Sequence, residues 1–543
     1  MKRSFKKQRQ ELGNGPSERL ETLASDARVT RRDFIKLAAA LGVTAATANL
    51  IWTDSAMAGP VRGGTLRAGL EGGAITDTFD PRKTIGPNHI TTAIGSMFDT
   101  LVRLDHKTTP IPGLAESWSV GSDGKTWHFK LREGVEFHNG KTLTAADIIA
   151  TFSYLNHEAS AYVDGKTIIG SLADIRADGD YVVFTQKEAN ADLPTLLAAY
   201  GMTIWPASDP DIDWTKPVGT GPYKLHAFEP GVRILLERNQ NHYRDDEGFF
   251  DDVELLNIAD PVARANALRS GSVDIITRPD PKTAKFIERL DGISIVEGEG
   301  NQHYTMPMRT DVAPFDDVNV RLAIKYAIDR QAFLDKVLGG VGYLGNDHPI
   351  GKKQRFFNRD LPQRELDPDK AKFYLKKAGL STLDVELSAA EAAFSGAVDG
   401  AVLTQASAKK AGINVSVKRV PSDGYWSNVW MKAPWCFSYM QGRVTEDWMF
   451  TAIYASNSKW NESYWENEQF DMILKAARSE QDEAKRRAMY YELQEIVRDD
   501  GGVAIPVFAS FLHAASDRLG HGEVSGISYM DYFHLARKWW FQS

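Results

Sequence analysis

The residues in this chain best suited to chemistry are not spaced to do catalysis. Gly340-Val341-Gly342-Tyr343-Leu344-Gly345 fits the G-x-G-x-x-G pattern whose backbone amides cradle a pyrophosphate. That use needs a strand before the glycines and a helix after them. Here a predicted helix precedes them and Asn346-Asp347-His348-Pro349 follows, so a structural turn is the better reading. The chain has neither a G-x-x-x-x-G-K-[ST] phosphate loop nor a G-x-S-x-G nucleophile elbow. Its twelve histidines are scattered, with no pair four residues apart to place two imidazoles on one helical face. The carboxylates of Asp316-Asp317 sit where they would cap the next helix. Cys436 is the only cysteine, which excludes an intramolecular disulfide framework and a cysteine-based zinc site. We therefore assign no catalytic residue, no metal ligand and no cofactor, and the chain reads as a non-enzyme.

The stretch 424–465 is of another kind. It holds Trp426, Trp430, Trp435, Trp448, Trp460 and Trp465, six of the chain's thirteen tryptophans. Aromatic rings supply large contact area at small entropic cost, so one or two could stack on a bound molecule while most fill the core. Polar residues at predicted crossings between units add candidates: Asn88 and His89 after the Phe79-Asp80-Pro81 turn, and Gln302, His303 and Tyr304 further on.

The elements that must position these residues are mixed helix and strand. At 543 residues, 43% hydrophobic and 25% charged, the chain is of ordinary globular composition but too long for one core. Its net charge of −8, with no basic patch outside the N-terminal segment, gives no sign of a nucleic-acid partner. Gly64–Leu70 and Thr126–Leu131 alternate as strands, and Thr144 with Asp147 is the start signal of a helix. Helices are predicted over Val320–Leu338, from Asp367-Pro368 to Gly379, and over Glu483–Val497, with strands at Asp384–Leu387 and Ile413–Val417. That alternation predicts an α/β unit with a mainly parallel sheet in the second half. At the N-terminus, Arg31-Arg32-Asp33-Phe34-Ile35-Lys36, an Ala-rich apolar run from Leu37 to Trp52 and then Ala56-Met57-Ala58 form the layout of a twin-arginine-type signal peptide cleaved near Ala58. The run is too short and too weakly apolar for a membrane anchor.

Several segments then match a known pattern in order: Pro112-Gly113-Leu114-Ala115-Glu116-Ser117-Trp118, Leu131-Arg132-Glu133-Gly134-Val135-Glu136-Phe137-His138-Asn139-Gly140, Leu143-Thr144-Ala145-Ala146-Asp147, Gly219-Thr220-Gly221-Pro222-Tyr223 and Ala327-Ile328-Asp329-Arg330. On these residues the chain resembles the extracellular solute-binding proteins of peptide, oligopeptide and nickel ABC importers. The resemblance implies an α/β, two-lobed periplasmic-binding-protein clamp with an extra small domain inserted in the first lobe. It places the base lobe at about 59–103, 206–305 and 500–543, the small domain at 104–205 and the second lobe at 306–499, after a signal at 1–58. It further implies a monomeric, periplasmic protein, and the Arg31-Arg32 signal implies that the twin-arginine export machinery would carry it out of the cytoplasm. A small-molecule ligand would be held in the interlobe cleft and passed to the transmembrane subunits of an ABC permease. A nickel-chelate carrier, or an enzyme on the same clamp, is the alternative.

In peptide-binding relatives an aspartate before an acidic-Pro step pairs with the ligand's ammonium. If Asp447-Trp448 stands for that step, Val444 occupies the aspartate's place and Arg443 lies beside it. A guanidinium there would favour an acidic group on the ligand. The expected ligand-binding set is Arg443, Trp426, Tyr439, Thr445, Asp447, Tyr304, His303, Asn88 and His89.

Overall fold

The computed structural model describes residues 60–542 except 84–87, 209–210, 280–283 and 285. The expected export signal, 1–58, lies outside them. Among the described residues no helix is long and apolar enough to cross a membrane.

Two long strands, Ile293–Pro307 and Val503–Ser516, hold the molecule together. They pair antiparallel along most of their length, with register shifts between Gly298 and Gln302 and between Tyr304 and Met306. One end of this ribbon continues through Ile275–Thr277, Thr65–Leu70, Asp252–Asn257, Arg233–Arg238 and Tyr223–Glu229, the sheet of the first lobe. The other end carries Ser438–Met440, which belongs to the second lobe. Both lobes thus hang on one mixed sheet. Thr65–Leu70 runs parallel to both of its neighbours, which fits its buried, apolar sequence.

The small domain is a four-stranded antiparallel sheet, Ala115–Val120, Thr126–Leu131, Tyr181–Gln186 and Leu172–Asp178, covered by helix Ala145–Leu155. That helix begins as its sequence dictates. The Asp147 carboxylate accepts from the Thr144 amide at 2.8 Å, closing a capping box. Phe129, Phe152 and Phe184 fill the space between helix and sheet.

Two expectations need correction. The helix predicted over Val320–Leu338 is two helices, Val318–Ala327 and Arg330–Val337. Ile328 turns extended between them and Asp329 starts the second by accepting from the Ala332 amide at 2.9 Å, so a capping residue overrides an unbroken apolar period. The second lobe is also not built on a mainly parallel sheet. Among the described residues its parallel ladder is the pair Leu383–Ala389 and Ile413–Arg419, and its strands Ser438–Met440 and Tyr343–Leu344 pair antiparallel with the long ribbon. The glycine motif is a structural turn: a Cβ on Gly342, whose φ is +124°, would meet the Phe508 carbonyl oxygen at 2.2 Å, because Tyr343-Leu344 pairs with the ribbon there.

Candidate ligand cleft

Where the lobes and the small domain meet there is a cavity of about 370 Å3. The second lobe contributes the loop Gln441–Val444 and Trp448, the small domain Tyr162, Asp164 and Tyr200, and the first lobe Asn88, Arg278, Phe511, Tyr529, Tyr532 and Phe533. The three units are in contact, since Val444, Tyr532 and Phe533 all pack into the small domain's core.

Arg443 is held by its backbone and left free at its charge. Its carbonyl accepts from Asn301 Nδ2 at 3.1 Å and from Gln354 Nε2 at 3.2 Å. Gly442 is pressed so closely on Asn301 that a Cβ would fall 1.9 Å from its side chain. Among the described residues the guanidinium reaches the Gln441 carbonyl, at 3.2 Å from Nη1, and the Trp448 ring, 5.7 Å from Cζ to the centroid. Its Nε is buried without a partner, and among the described residues it makes no ion pair. The carboxyl of Asp164, on helix Val163–Gly170, is near enough to feel this charge. Burial nonetheless pushes Asp164 above the usual carboxylate range, with Arg443 opposing.

The first-lobe floor has an uncommon backbone. Met530, Asp531, Tyr532 and Phe533 have φ of 53°, 53°, 58° and 63°, a left-handed turn made entirely of non-glycine residues. Such a turn costs about 1–2 kcal/mol per residue and persists only where its surroundings dictate it. Here the Met530 amide donates to His513 Nε2 at 2.7 Å, and Asp531 Oδ1 accepts from the Ser525 amide at 2.9 Å. The Tyr532 hydroxyl accepts from the Tyr200 amide at 3.1 Å, tying the turn to the small domain. Beside it, Arg278 lies over the Tyr529 ring and 3.8 Å from Glu71, which also accepts from Asn88 Nδ2 at 2.5 Å.

Of the residues expected from sequence, Arg443 and Asn88 line this cavity. Tyr304 pairs across the strands with Tyr439 and stacks on Phe394 at 3.9 Å, close enough to Arg278 and Tyr529 for their charges to act on its hydroxyl. Trp426 packs edge-on against Tyr439, 41% exposed, outside the cavity. His303 points the other way along its strand. It is fully buried against Phe508, with Nδ1 3.2 Å from the Asn301 carbonyl, and burial lowers its pKa to about 4. His89 is likewise internal, 3.1 Å from the Leu255 carbonyl. Thr445 caps helix Glu446–Ile453 by accepting from the Trp448 amide at 3.1 Å. Asp447 pairs with Arg478 Nε at 3.0 Å, and burial pushes its pKa up to about 6. Trp435 and Trp465 are core. Asp164, Tyr200, Arg278 and the turn at 530–533 carried no local motif, although the aromatic run from Tyr529 to Phe541 was a signal available to read.

The profile of the bacterial extracellular solute-binding proteins, family 5, matches residues 109–462. The chain belongs to this family. A dipeptide-binding protein of Pseudomonas aeruginosa is 26% identical over 502 residues, covering 85% of this chain and 93% of the relative. Among solved structures, the periplasmic binding protein DppA of Helicobacter pylori, in complex with the peptide STSA, superposes with a TM-score of 0.67 at 24% identity over 89% of this chain and 99% of that one. AgaA of A. tumefaciens R10, in complex with agropinic acid, gives 0.67 at 24% over 89% and 99%. As a family 5 solute-binding protein this chain is a binding protein and not an enzyme, and its fold is the two-lobed clamp with a small extra domain.

Proposed function

We propose that this protein is the solute-binding subunit of an ABC importer, capturing a small polar organic acid between its lobes and delivering it to a membrane permease. In this reading it works in the periplasm as a monomer, after export on the signal at 1–58. The observation that carries the acidic ligand is Arg443, a cleft-lining cation with an anchored backbone, a buried unpartnered Nε and, among the described residues, no carboxylate at ion-pair distance. A guanidinium so placed lacks only a planar anion, and carboxylate fits it in two parallel hydrogen bonds. The fold leaves the ligand open, because neighbours of the same shape hold a peptide and agropinic acid. Asp164 favours a ligand that also carries a hydrogen-bond donor, such as the N–H of an amino-acid derivative or of a short peptide with an extra acidic group. A nickel chelate is less well served: among the described residues no group of three or more His, Cys, Asp or Glu could hold a metal.

The test is a thermal-shift screen of protein stripped of carried-over ligand, against organic and uronic acids, acidic amino-acid conjugates, di- to pentapeptides, neutral oligosaccharides and nickel chelates. Ligand at ~1,000 times its Kd adds about 4 kcal/mol. Shifts confined to acidic compounds support the reading. Equal shifts with neutral peptides overturn it.

A further inference from the structure

A second cavity, of about 390 Å3, lies beside the cleft between the small domain and the second lobe. Its walls are mainly apolar, with Ile168 and Leu196 on one side and Trp448 on the other. Trp448 is common to both cavities. The same two helices also run along both. On helix Val163–Gly170, Asp164 faces the cleft, while Ile168 and the capping Ser171, four and seven residues on, face the second cavity. That spacing keeps all three on one helical face over about 10 Å. On the opposing helix, Trp448 is followed by Thr451 three residues later.

Three of the four charged residues lining the second cavity are committed, and the fourth, Glu188, is exposed to solvent. Arg478 holds Asp447 at 3.0 Å and Thr451 Oγ1 at 2.6 Å, and Lys187 Nζ donates to the Gly170 carbonyl at 2.6 Å. What remains for a guest is mainly hydrocarbon surface, and Trp448, which lines it, also lines the cleft that holds Arg443.

We propose that the ligand is bipartite, with an anionic head at Arg443 and an unbranched apolar portion that passes Trp448 into the second cavity. This rests on the reading that the cleft binds an acid. It narrows the substrate class to amphipathic acids, such as acylated amino acids, rather than compact sugar acids.

Isothermal titration of the purified protein with N-acylglycines from acetyl to decanoyl, beside the matching uncharged N-acylglycinamides, tests both parts separately. Affinity for the acids is expected to climb about fourfold per added methylene until the cavity is full and then level off. Thr451→Trp and Ser171→Trp each place a ring in the second cavity from its rim. Both should bind N-acetylglycine as the wild type does and bind the octanoyl acid at least tenfold more weakly. Acids that bind with no dependence on chain length overturn the bipartite ligand and leave the acidic reading standing. Amides that bind as tightly as acids, with the length dependence kept, overturn the acidic reading and leave the apolar subsite. If no member binds, both fall. If both variants bind the long acids like wild type, the chain lies elsewhere and the subsite is wrong.

Discussion

Two charged regions of the second lobe are built in opposite ways. Around Asp347 the charges are buried and closed on one another. Arg330 Nη2 lies 2.7 Å from both carboxylate oxygens, Arg364 Nη1 lies 2.5 Å away, and the Ile505 amide donates at 2.9 Å. Burial alone would raise this carboxyl, but Arg330, Arg364 and the neighbouring Lys325 together hold it well below the usual range. At Gln441–Val444 the reverse holds: the main chain is fixed by Asn301 and Gln354, while the cation of Arg443 touches a carbonyl and a ring and, among the described residues, no carboxylate at ion-pair distance. A cation surrounded by its counterions is architecture. One whose backbone is anchored and whose charge is unmet is a receptor for something that arrives from outside.

Four measurements would break or sharpen that contrast. Asp347→Ala leaves the buried Arg330 without its carboxylate and Arg364 with only the half-exposed Asp499, and should lower unfolding free energy by about 3–5 kcal/mol in denaturant titration. Arg443→Ala should do the opposite: affinity for the acidic ligand falls by about 2–3 kcal/mol, while stability stays within about 0.5 kcal/mol of wild type. If the Arg443 variant unfolded as easily as the Asp347 variant, the two regions would not differ in kind.

Acidity separates the regions further. Asp347 has a depressed pKa, so its contribution is present above the unfolded-state value and lost as pH falls. Glu446 is the converse, pushed up to about 7 by burial from a normal 4.5. The folded state then keeps a proton the unfolded chain has released, and stability falls as pH rises from about 4.5 to about 7. Glu446→Gln should remove that slope and raise stability at pH 8 by on the order of 1–3 kcal/mol, read from unfolding midpoints across pH. Thr445→Ala, which deletes the cap on the helix carrying Trp448, should cost about 1 kcal/mol of stability. N-acetylglycine affinity, measured by titration, should be unchanged in that variant.

What could be read from sequence followed local chemistry. Thr144 with Asp147, Asp367-Pro368 and the alternation of Thr126–Leu131 each encode their element within a few residues, and the structure has a capped helix, a helix at Pro368–Lys377 and a strand in those places. Arg443 stood out because, if Asp447-Trp448 stands for the acidic-Pro step, it lies beside Val444 in the place of an expected aspartate. The remaining cleft residues come from contacts far apart in the chain. Asp164 meets Arg443 only because the small domain folds against the second lobe, and Tyr532 and Phe533 reach the cleft through a backbone conformation that their side chains do not favour. His303 and Tyr304 show the limit of reading by position, since neighbours on a strand face opposite sides and only one can look toward the cleft.

The left-handed turn at 530–533 has a consequence for when this surface exists at all. Nothing in Met530-Asp531-Tyr532-Phe533 prefers that handedness, so the floor of the cleft has no local code and cannot form ahead of its anchors. It takes shape only once His513 is in register on the long ribbon, Ser525 is seated on Asp531 and Tyr200 has docked from the small domain. The recognition surface is thus a report on the whole molecule: a chain with any of its three units unassembled has no floor to offer, and capture of a ligand certifies that folding is finished.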